Sequence, residues 1–477
     1  MMILWILLLA VAAVLAVAVV RALCIRPDKA AYEPTPQPER EAEYAQKLSK
    51  MVQFETVSVR GQPNPEKFRA FHGLLAELFP RVFESCEKTD LDGALILKWK
   101  GKSEENPILL LAHMDVVEAS PEGWKYPPFS GAIAEGKVWG RGSGDTKGSL
   151  MALLQCAEEL MAEGYVPACD VYLASGNTEE IGGDGGPKMA AWLKEQGVKL
   201  ALLCDEGGAI TDAPLAGLEG KYAMVGLFEK GYGDLRFIAR SPGGHSSAPK
   251  KGSPIPQLAK FICAVEKKSP FRSEISPEVK AMFESLAPRC SFPLRLVLGN
   301  LWLFAPVLKK IIPMLSPQAA AMLHTTICFT MQKGSNGYNV IPQEASVCAN
   351  LRYIPHQSTE ESVALITKMA AGYGLDTEIV KTGYPSKPLD LQGKPYLQTK
   401  AAIEQCFPGV CITPYVVVGG TDARFFGEVC DGCVRFSPLI YGKEQLAGQH
   451  GINENLETYC LPGAVDYYKT IVKLQEC

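Results

Sequence analysis

The chain has 477 residues, and its 52 acidic and 48 basic side chains leave a formal net charge of −4. At about 100–200 residues per domain, this length predicts two to four domains, or one large domain that carries an insertion. Apolar residues make up 47% of the chain and charged residues 21%, which is typical of globular proteins and excludes disorder of the whole chain. A near-neutral balance lacks the clustered basic face of a nucleic-acid-binding protein, so no nucleic-acid partner is expected. The 15 cysteines are odd in number and scattered, which argues against a disulfide framework and favours a reducing compartment.

The first 20 residues contain no charged side chain. An apolar helix of that length spans the roughly 30 Å hydrocarbon core of a bilayer, so residues 1–22 are predicted to be a single-pass membrane anchor. Arg21, Arg26 and Lys29 follow this segment and no basic residue precedes it, which places the rest of the chain in the cytoplasm by the positive-inside rule. The alternative is a cleaved signal sequence, which would make the protein secreted or extracytoplasmic. Residues 23–38 contain four prolines and are expected to form an extended tether.

After the tether, short apolar runs alternate with segments of helical spacing. Continuous apolar strands separated by helices are typical of an α/β sheet that is covered on both faces. The predicted helices are 39–54, 65–79, 147–162 and 186–196, and the predicted strands are 94–99, 108–112, 171–175 and 199–204.

The middle of the chain has a different pattern, in which alternating strands are joined by a Gly-rich turn. We therefore expect a catalytic domain of residues 39–222 and 356–477 that is interrupted by an α+β lid domain of residues 223–355. The further elements are strands at 222–229, 234–240, 325–331, 345–353 and 411–418, and helices at 255–267, 360–371 and 458–475.

Residues 291–323 are strongly apolar but are broken by four prolines. The prolines and the pair Lys309–Lys310 argue against a second membrane span. Buried helices within the inserted region are the preferred interpretation, and a surface that faces a membrane or lipid is the alternative.

Three of the apolar strands lead directly into polar clusters. These clusters contain His113 and Asp115, then Glu179 and Glu180, then Asp205. In open α/β sheets, ligand sites form beyond the carboxyl ends of the strands, so these side chains are expected to meet at one edge.

A fourth segment, residues 140–148, is a glycine-rich loop that opens a helix. It has neither the spacing of a phosphate-binding loop nor that of a dinucleotide fingerprint. We interpret it as a loop whose glycines allow Asp145 to reach the same sheet edge.

Each polar cluster alone has an ordinary explanation, such as a surface pair or a helix cap. Several carboxylates gathered at one edge would repel one another unless a cation lies among them. Oxygen and imidazole ligands without a thiolate suit zinc, manganese or cobalt.

The order of six motifs resembles metallopeptidase family 20, the two-metal family of aminoacylase, glutamate carboxypeptidase and succinyl-diaminopimelate desuccinylase. The resemblance extends from about residue 39 to residue 475. The apolar insertion is most similar to the branch of carboxypeptidase S and the N-fatty-acyl-amino-acid hydrolases. The motifs are LLLAHMDVV, WGRGSGDTKG, SGNTEEIGG, CDEGG, SPGGHSS and a late histidine.

The resemblance implies a two-metal exopeptidase-like fold and two divalent ions per chain, most simply zinc, with cobalt or manganese as alternatives. It implies that His113 and Asp205 bind one ion, that Glu180 and His450 bind the other, and that Asp145 bridges both.

The same resemblance implies two roles for carboxylates near the metals. Glu179 would act as the general base toward the attacking water, which typically contributes about 10²–10⁴-fold to the rate. Asp115 would orient the imidazole of His113 from outside the ligand shell.

Residues of the lid and of a late loop match the family's substrate-binding positions. His245 resembles the lid histidine that stabilises the oxyanion, which in dimeric members reaches across from a partner subunit. Asn339 and Arg352 match positions that hold the substrate's carboxylate and carbonyl, and Arg suits a carboxylate because its fork contacts both oxygens. Gly420 lies in a loop whose backbone approaches the substrate, and Arg424 is a second candidate for carboxylate recognition.

The expected function is metal-dependent hydrolysis of a small peptide or N-acyl amino acid with a free carboxylate, with a homodimer through the lid as an expected assembly. Within the same family, a dipeptidase or a desuccinylase is the alternative. One departure leaves the substrate open, because position 205 is Asp where aminoacylase types carry Glu. A non-catalytic metal-binding protein is the alternative of another class, and the complete set of ligands together with Glu179 argues against it.

Overall fold

The computed structural model describes residues 1–215 and 217–476. Its helices, numbered in chain order, are α1 Met2–Cys24, α2 Pro38–Gln53, α3 Pro65–Leu78, α4 Pro80–Ser85, α5 Gly148–Ala162, α6 Gly185–Glu195, α7 Pro254–Lys267, α8 Pro277–Leu286, α9 Phe292–Leu298, α10 Leu301–Leu315, α11 Pro317–Ala321, α12 Thr359–Ala371, α13 Lys394–Cys406, α14 Lys443–Gly448 and α15 Leu461–Lys473. Its strands are β1 Glu87–Leu91, β2 Ala94–Trp99, β3 Ser103–Leu111, β4 Ala132–Ala134, β5 Lys137–Trp139, β6 Cys169–Ser175, β7 Leu202–Asp205, β8 Ile210–Asp212, β9 Lys221–Glu229, β10 Gly231–Arg240, β11 Gly244–His245, β12 Thr326–Lys333, β13 Val340–Ile341, β14 Glu344–Tyr353, β15 Asp376–Thr382, β16 Cys411–Val417, β17 Cys433–Arg435, β18 Ile440–Tyr441 and β19 Asn455–Glu457.

The largest sheet, here called the main sheet, is mixed. Its strand order is β1-β2-β6-β3-β7-β17-β9-β8-β18, with β16 paired to β9. Strand β3 pairs parallel with both β6 and β7, whereas β2 pairs antiparallel with β6.

Both faces of the main sheet are buried, as the continuous apolar strands predict. Leu110 packs into a core on one face that includes Leu153 of α5. Leu109 and Leu111 point to the opposite face, where Met189 of α6 covers them. This alternation explains why the strands lack polar positions, since neither face meets water.

The lid is a four-stranded antiparallel sheet in the order β12-β14-β10-β15. Helices α7 and α12 cover one face, where Phe261 and Ile366 pack against Phe237 of β10. The predicted mixed sheet covered by helices and interrupted by a lid is confirmed.

The predicted lid boundaries differ from those in the structure. Strand β15 pairs with β10, with Leu235 opposite Ile379, so the lid continues past residue 355 to residue 382. Strand β9 belongs to the main sheet and β10 to the lid, so Lys230 is a crossing point between the two sheets and lies outside any hairpin turn. The pattern of alternating strands could not reveal this, because each strand alternates in either sheet.

The apolar insertion also differs from the preferred expectation. Helices α9, α10 and α11 do form, but within α10 only Leu301 is buried. Helix α8 packs on β16 through Val279 and Phe283, and it belongs to the core of the main sheet and not to the lid.

Candidate metal centre

The polar clusters predicted from the sequence follow three adjacent strands of the main sheet. His113 lies two residues after β3, Glu179 and Glu180 follow β6, and Asp205 ends β7. Because β6, β3 and β7 are parallel neighbours, their carboxyl ends bring these side chains to one edge.

Asp145 lies between two histidines. Its Oδ1 is 3.0 Å from Nε2 of His113, and its Oδ2 is 3.2 Å from Nε2 of His450. His450 Nε2 is also 2.9 Å from Oε2 of Glu180. One carboxylate thus joins a half containing His113 to a half containing Glu180 and His450, which is the arrangement implied by the resemblance for a bridging ligand.

The ring of His113 is oriented by the main chain of Asp115. Nδ1 of His113 donates to the backbone carbonyl of Asp115 at 2.9 Å, which turns Nε2 toward Oδ1 of Asp145. The Asp115 carboxylate, 3.5 Å from Nδ1, accepts hydrogen bonds from the backbone N–H groups of Glu179 and Glu180 and from Ser58. Asp115 therefore positions both the histidine after β3 and the glutamates after β6.

A second group of side chains contains Glu206, which the sequence reasoning left without a role. Oε1 of Glu206 is 3.4 Å from Nε2 of His113, and the ligand atoms of His113, Glu179 and Glu206 lie within 4.8 Å of one another. The adjacent pair of carboxylates at 205 and 206 was a signal for it, since neighbouring side chains point to different sides.

Asp205 is buried beside this group. Its two carboxylate oxygens accept hydrogen bonds from the backbone N–H groups of Glu206 and Ala423, both at 2.8 Å. Each carboxylate oxygen retains a second lone pair, so these bonds orient Asp205 without preventing it from binding a cation. Its role as a ligand stays a prediction.

Burial and crowding shift the titration of this cluster. Burial raises the pKa of Glu179 to about 10, and the nearby charge of Glu206 adds to the shift. Burial opposes ionisation of Asp145, but hydrogen bonds from His113 and His450 lower its pKa. The pKa of His450 rises to about 10 because Asp145 and Glu180 both contact its ring.

The donor set fits divalent cations. Two imidazoles and several carboxylates converge, and the buried Oε1 of Glu180 has no hydrogen-bond partner among the described residues. A cation would relieve the carboxylate repulsion and satisfy that oxygen, and nitrogen and oxygen ligands without sulfur suit zinc, manganese or cobalt.

The glycine-rich loop that carries Asp145 is held by a buried carboxylate that the sequence reasoning missed. Glu454 accepts hydrogen bonds from the backbone N–H groups of Gly142, Gly144 and Asp145 at 2.9–3.1 Å, and from Arg141 at 2.6 Å. Gly142 has φ of 83°, a left-handed conformation that favours glycine. Glu454 is more than 300 positions away in sequence, and no local motif marks it.

We expect Glu454→Gln to lower the free energy of unfolding by about 3–5 kcal/mol, because it leaves Arg141 buried without its ionic partner. Urea denaturation followed by tryptophan fluorescence measures this change. Glu457→Gln, at the end of strand β19, which directly follows Glu454, is the control, since its ion pair with Lys137 at 3.6 Å is partly exposed and is worth at most about 1 kcal/mol. Equal losses in the two variants would contradict a special role for Glu454.

Two of the predicted lid residues lie apart from the metal ligands. His245 lies in a short exposed ladder, in which it pairs with Val340, and Asn339 directly precedes Val340. Nδ1 of His245 accepts a hydrogen bond from Ser247 at 2.7 Å. Among the described residues, the structure does not bring either side chain to the metal cluster.

The two predicted arginines, Arg352 and Arg424, are close enough for their charges to interact. Burial lowers the pKa of Arg352, and the positive charge of Arg424 contributes to this shift. Arg352 lies over the ring of Tyr232 at 4.8 Å, and Arg424 contacts the backbone at Gly420, where a Cβ atom would lie 2.2 Å from the guanidinium. A side chain at position 420 would therefore displace the Arg424 guanidinium from this position.

Comparisons with known proteins show the family of the chain. The sequence profile of Peptidase family M20/M25/M40 matches residues 109–474. The chain is 34% identical to N-fatty-acyl-amino acid synthase/hydrolase PM20D1 of Xenopus tropicalis, over 89% of this chain and 84% of that protein. It is 32% identical to probable carboxypeptidase S-like 2 of Dictyostelium discoideum, over 91% of this chain and 85% of that protein.

A solved structure shows the same fold. The M20 family metallo-carboxypeptidase Sso-CP2 of Sulfolobus solfataricus superposes with a TM-score of 0.65 at 17% identity, covering 91% of this chain and 99% of that chain. The family profile, the relatives above 30% identity and the ligand geometry agree, and the chain belongs to peptidase family M20/M25/M40 as a hydrolase that acts on amide or peptide bonds.

Proposed function

We propose that the protein hydrolyses N-acyl amino acids or small peptides that end in a free carboxylate. The observation that supports this proposal is that Arg352, near the end of lid strand β14, is close enough to Arg424, in the segment after β16, for their positive charges to interact. Two guanidinium groups beside a hydrolytic centre suit a substrate carboxylate, which accepts two parallel hydrogen bonds from an arginine fork.

A cavity of about 250 Å³ beside the cluster supports an acyl group on the other side of the scissile bond. Its walls include the apolar or aromatic side chains of Met224, Tyr415, Tyr441 and Leu446. The same walls carry the carboxylates of Asp145 and Glu206 beside the cluster, and the apolar side chains are the part that would accommodate an acyl chain.

His113, Asp145, Glu180, Asp205 and His450 would hold two divalent ions, with zinc preferred over cobalt and manganese, and Glu206 is a further candidate ligand. When bound, such ions polarise a carbonyl and lower the pKa of water. The positive charge of the bound ions would counter the effect of burial and keep the Glu179 carboxylate ionised. Glu179 would then take a proton from the attacking water and return it to the leaving amine, so that water and amide become a carboxylic acid and an amine.

The exposed His245 and Asn339 support a mobile or shared lid. Either closure of the lid or a partner's lid in a homodimer would bring the ladder of β11 and β13 toward the substrate. His245 would then stabilise the oxyanion and Asn339 would bind the substrate's carbonyl or carboxylate.

Helix α1 supports a membrane anchor. It has 23 residues with a mean hydropathy of 3.2, and most of its side chains are exposed. With Arg21, Arg26 and Lys29 after it, we infer a cytoplasmic catalytic domain, and the alternative of a cleaved signal sequence predicts a mature protein that begins near residue 25–30.

The test is a panel of N-acyl amino acids, small peptides with a free carboxyl terminus, and free dipeptides, assayed with the metal-loaded protein and mass spectrometry. We expect turnover of the first two classes, and we expect Arg352→Met to raise KM by about 10-fold or more as the charge-assisted pair is lost. Arg236→Met, on the neighbouring strand of the lid, is the control. A profile restricted to dipeptides with a free amino terminus would contradict the proposal.

A further inference from the structure

Helix α10 is unusual because its exposed face is apolar. Its solvent-facing side chains include Trp302, Val307 and Ile311, and Met314 and Leu315 are 83% and 76% exposed. The opposite face packs on the main core through Leu308 and Ile312. A helix that is apolar on both faces needs a second apolar environment beyond its own protein core.

This face is continuous with α1. Of the residues of α1, Ala18 and Ala22 are buried, and the Asn300 side chain donates a hydrogen bond to the carbonyl of Ala18 at 2.9 Å. Gly299 approaches Ile25 so closely that a Cβ atom there would lie 2.5 Å from its side chain. The amino end of α10 is therefore attached to the carboxyl-terminal part of α1.

The contact with Ala18 fixes the position of α10 along the axis of α1, and therefore its depth below the end of α1. Ala18 lies six residues before the last residue of α1, Cys24, which is about 9 Å along the axis at 1.5 Å per residue. Interfacial helices bury their apolar faces about 5–10 Å below the headgroups. If α1 crosses the bilayer, α10 starts at the depth where such helices lie.

The chemistry of α10 suits the interface and not the bilayer centre. Its 15 residues span about 22 Å, which is shorter than the hydrocarbon core, and Pro306 and Pro313 interrupt its hydrogen bonding. Lys309 and Lys310 are its only charged residues and would meet anionic headgroups. Trp302 donates its indole N–H to Asn300 at 3.0 Å while 52% of the residue is exposed, which suits a membrane-interface tryptophan.

We propose that α10 forms a bilayer-contacting platform, in which the face of Trp302, Val307, Ile311, Met314 and Leu315 enters the lipid surface beside α1. The enzyme is then held on the membrane at two points and does not swing freely on its tether. This inference rests on the proposed anchor but not on the proposed substrate.

The first test measures the depth of Trp302 in the full-length, metal-loaded protein. The protein is placed in phosphatidylcholine–phosphatidylserine vesicles whose lipids carry bromine near the top of the acyl chains. We expect bromine to quench a component of the tryptophan emission that is lost in Trp302→Phe and kept in Trp192→Phe. Trp5→Phe identifies the emission of the anchor itself.

The outcomes are distinguishable. Quenching of Trp5 without quenching of Trp302 would overturn the platform and keep the anchor, and quenching of neither would overturn both. A Trp302 that is shielded from lipid by a second copy, shown by crosslinking, would also overturn the platform.

The second test removes the covalent link between α1 and the catalytic body, and a variant of α10 then shows whether the remaining attachment depends on the platform. A protease site is inserted within the exposed residues 33–36, and the reconstituted protein is then cleaved. After cleavage, we expect the body of the unaltered protein to remain on the vesicles. We expect the body of the double variant Ile311→Glu/Met314→Glu to be released, although the turnover of this variant in detergent should be unchanged. Ile379→Glu/Val380→Glu, a similarly exposed pair on the lid, is the control and should remain bound. Release of the unaltered body, or retention of the α10 double variant, would contradict the proposal.

Discussion

Glu179→Gln is expected to lower kcat by about 10²–10⁴-fold, the usual contribution of a positioned general base. The amide has the shape of the carboxylate but cannot accept the proton of the attacking water. The backbone of Glu179 remains bound to Asp115, so the local fold should be preserved.

Steady-state kinetics and elemental analysis of the same preparation test this prediction. Metal content should match the wild type, because the proposed ligands are unchanged. Glu195→Gln, at the exposed end of α6, is the matched control and should retain full activity. A Glu179 variant with normal turnover would remove this residue as the base.

The second large effect is expected for Asp145→Asn. This change removes the negative charge that lies between His113 and His450. We expect the metal content to fall below about two ions per chain, and kcat/KM to fall about 10³-fold or more. The loss follows because metal ions supply several kcal/mol of transition-state stabilisation and each ~1.4 kcal/mol is tenfold in rate.

Elemental analysis after dialysis, with added zinc as a rescue, measures the loss of metal. Asp205→Asn and Glu206→Gln in the same assay show which neighbouring carboxylate contributes to binding. An Asp145→Asn protein that keeps two ions and normal turnover would contradict the bridging role.

The sequence could predict that the site residues meet at one edge of the main sheet, because this follows from the strand order. His113, Glu180 and Asp205 each come directly after or at the end of an apolar run, and parallel strands present such residues at one edge. Asp145 and His450 required the family resemblance, since a loop and a late histidine carry no periodicity.

Other parts of the site depend on tertiary contacts that local patterns do not carry. Glu454 has no flanking motif, and its partners are backbone N–H groups of a distant loop. Glu206 was overlooked because the sequence does not show which of two adjacent side chains, Asp205 or Glu206, points toward His113.

The lid boundary and the exposure of α10 also depend on tertiary contacts that the sequence pattern does not show. Strand β15 alternates no more clearly than a loop, and it becomes part of the lid only by pairing with β10. An apolar helix has the same composition whether it is covered by protein or exposed, so the pattern at 301–315 could not distinguish these states.

The crossing between the two sheets has a consequence for how the lid moves. Lys230, buried at the crossing, donates hydrogen bonds to the carbonyls of Ala321 and His324 where the chain re-enters the lid. One residue earlier, the backbone carbonyl of Glu229 accepts a hydrogen bond from Ser386 where the chain leaves the lid for the last time. Three passages of the chain between the lid and the main sheet are thus tied to one another at this crossing.

The carboxylate of Glu229 also accepts two hydrogen bonds from Thr421, in the loop that carries Gly420 and Arg424. If the lid closes as proposed, the movement would be passed through Glu229 and Thr421 to this loop. Closure of the lid would then also change the position of Arg424, the proposed carboxylate-binding residue in the loop.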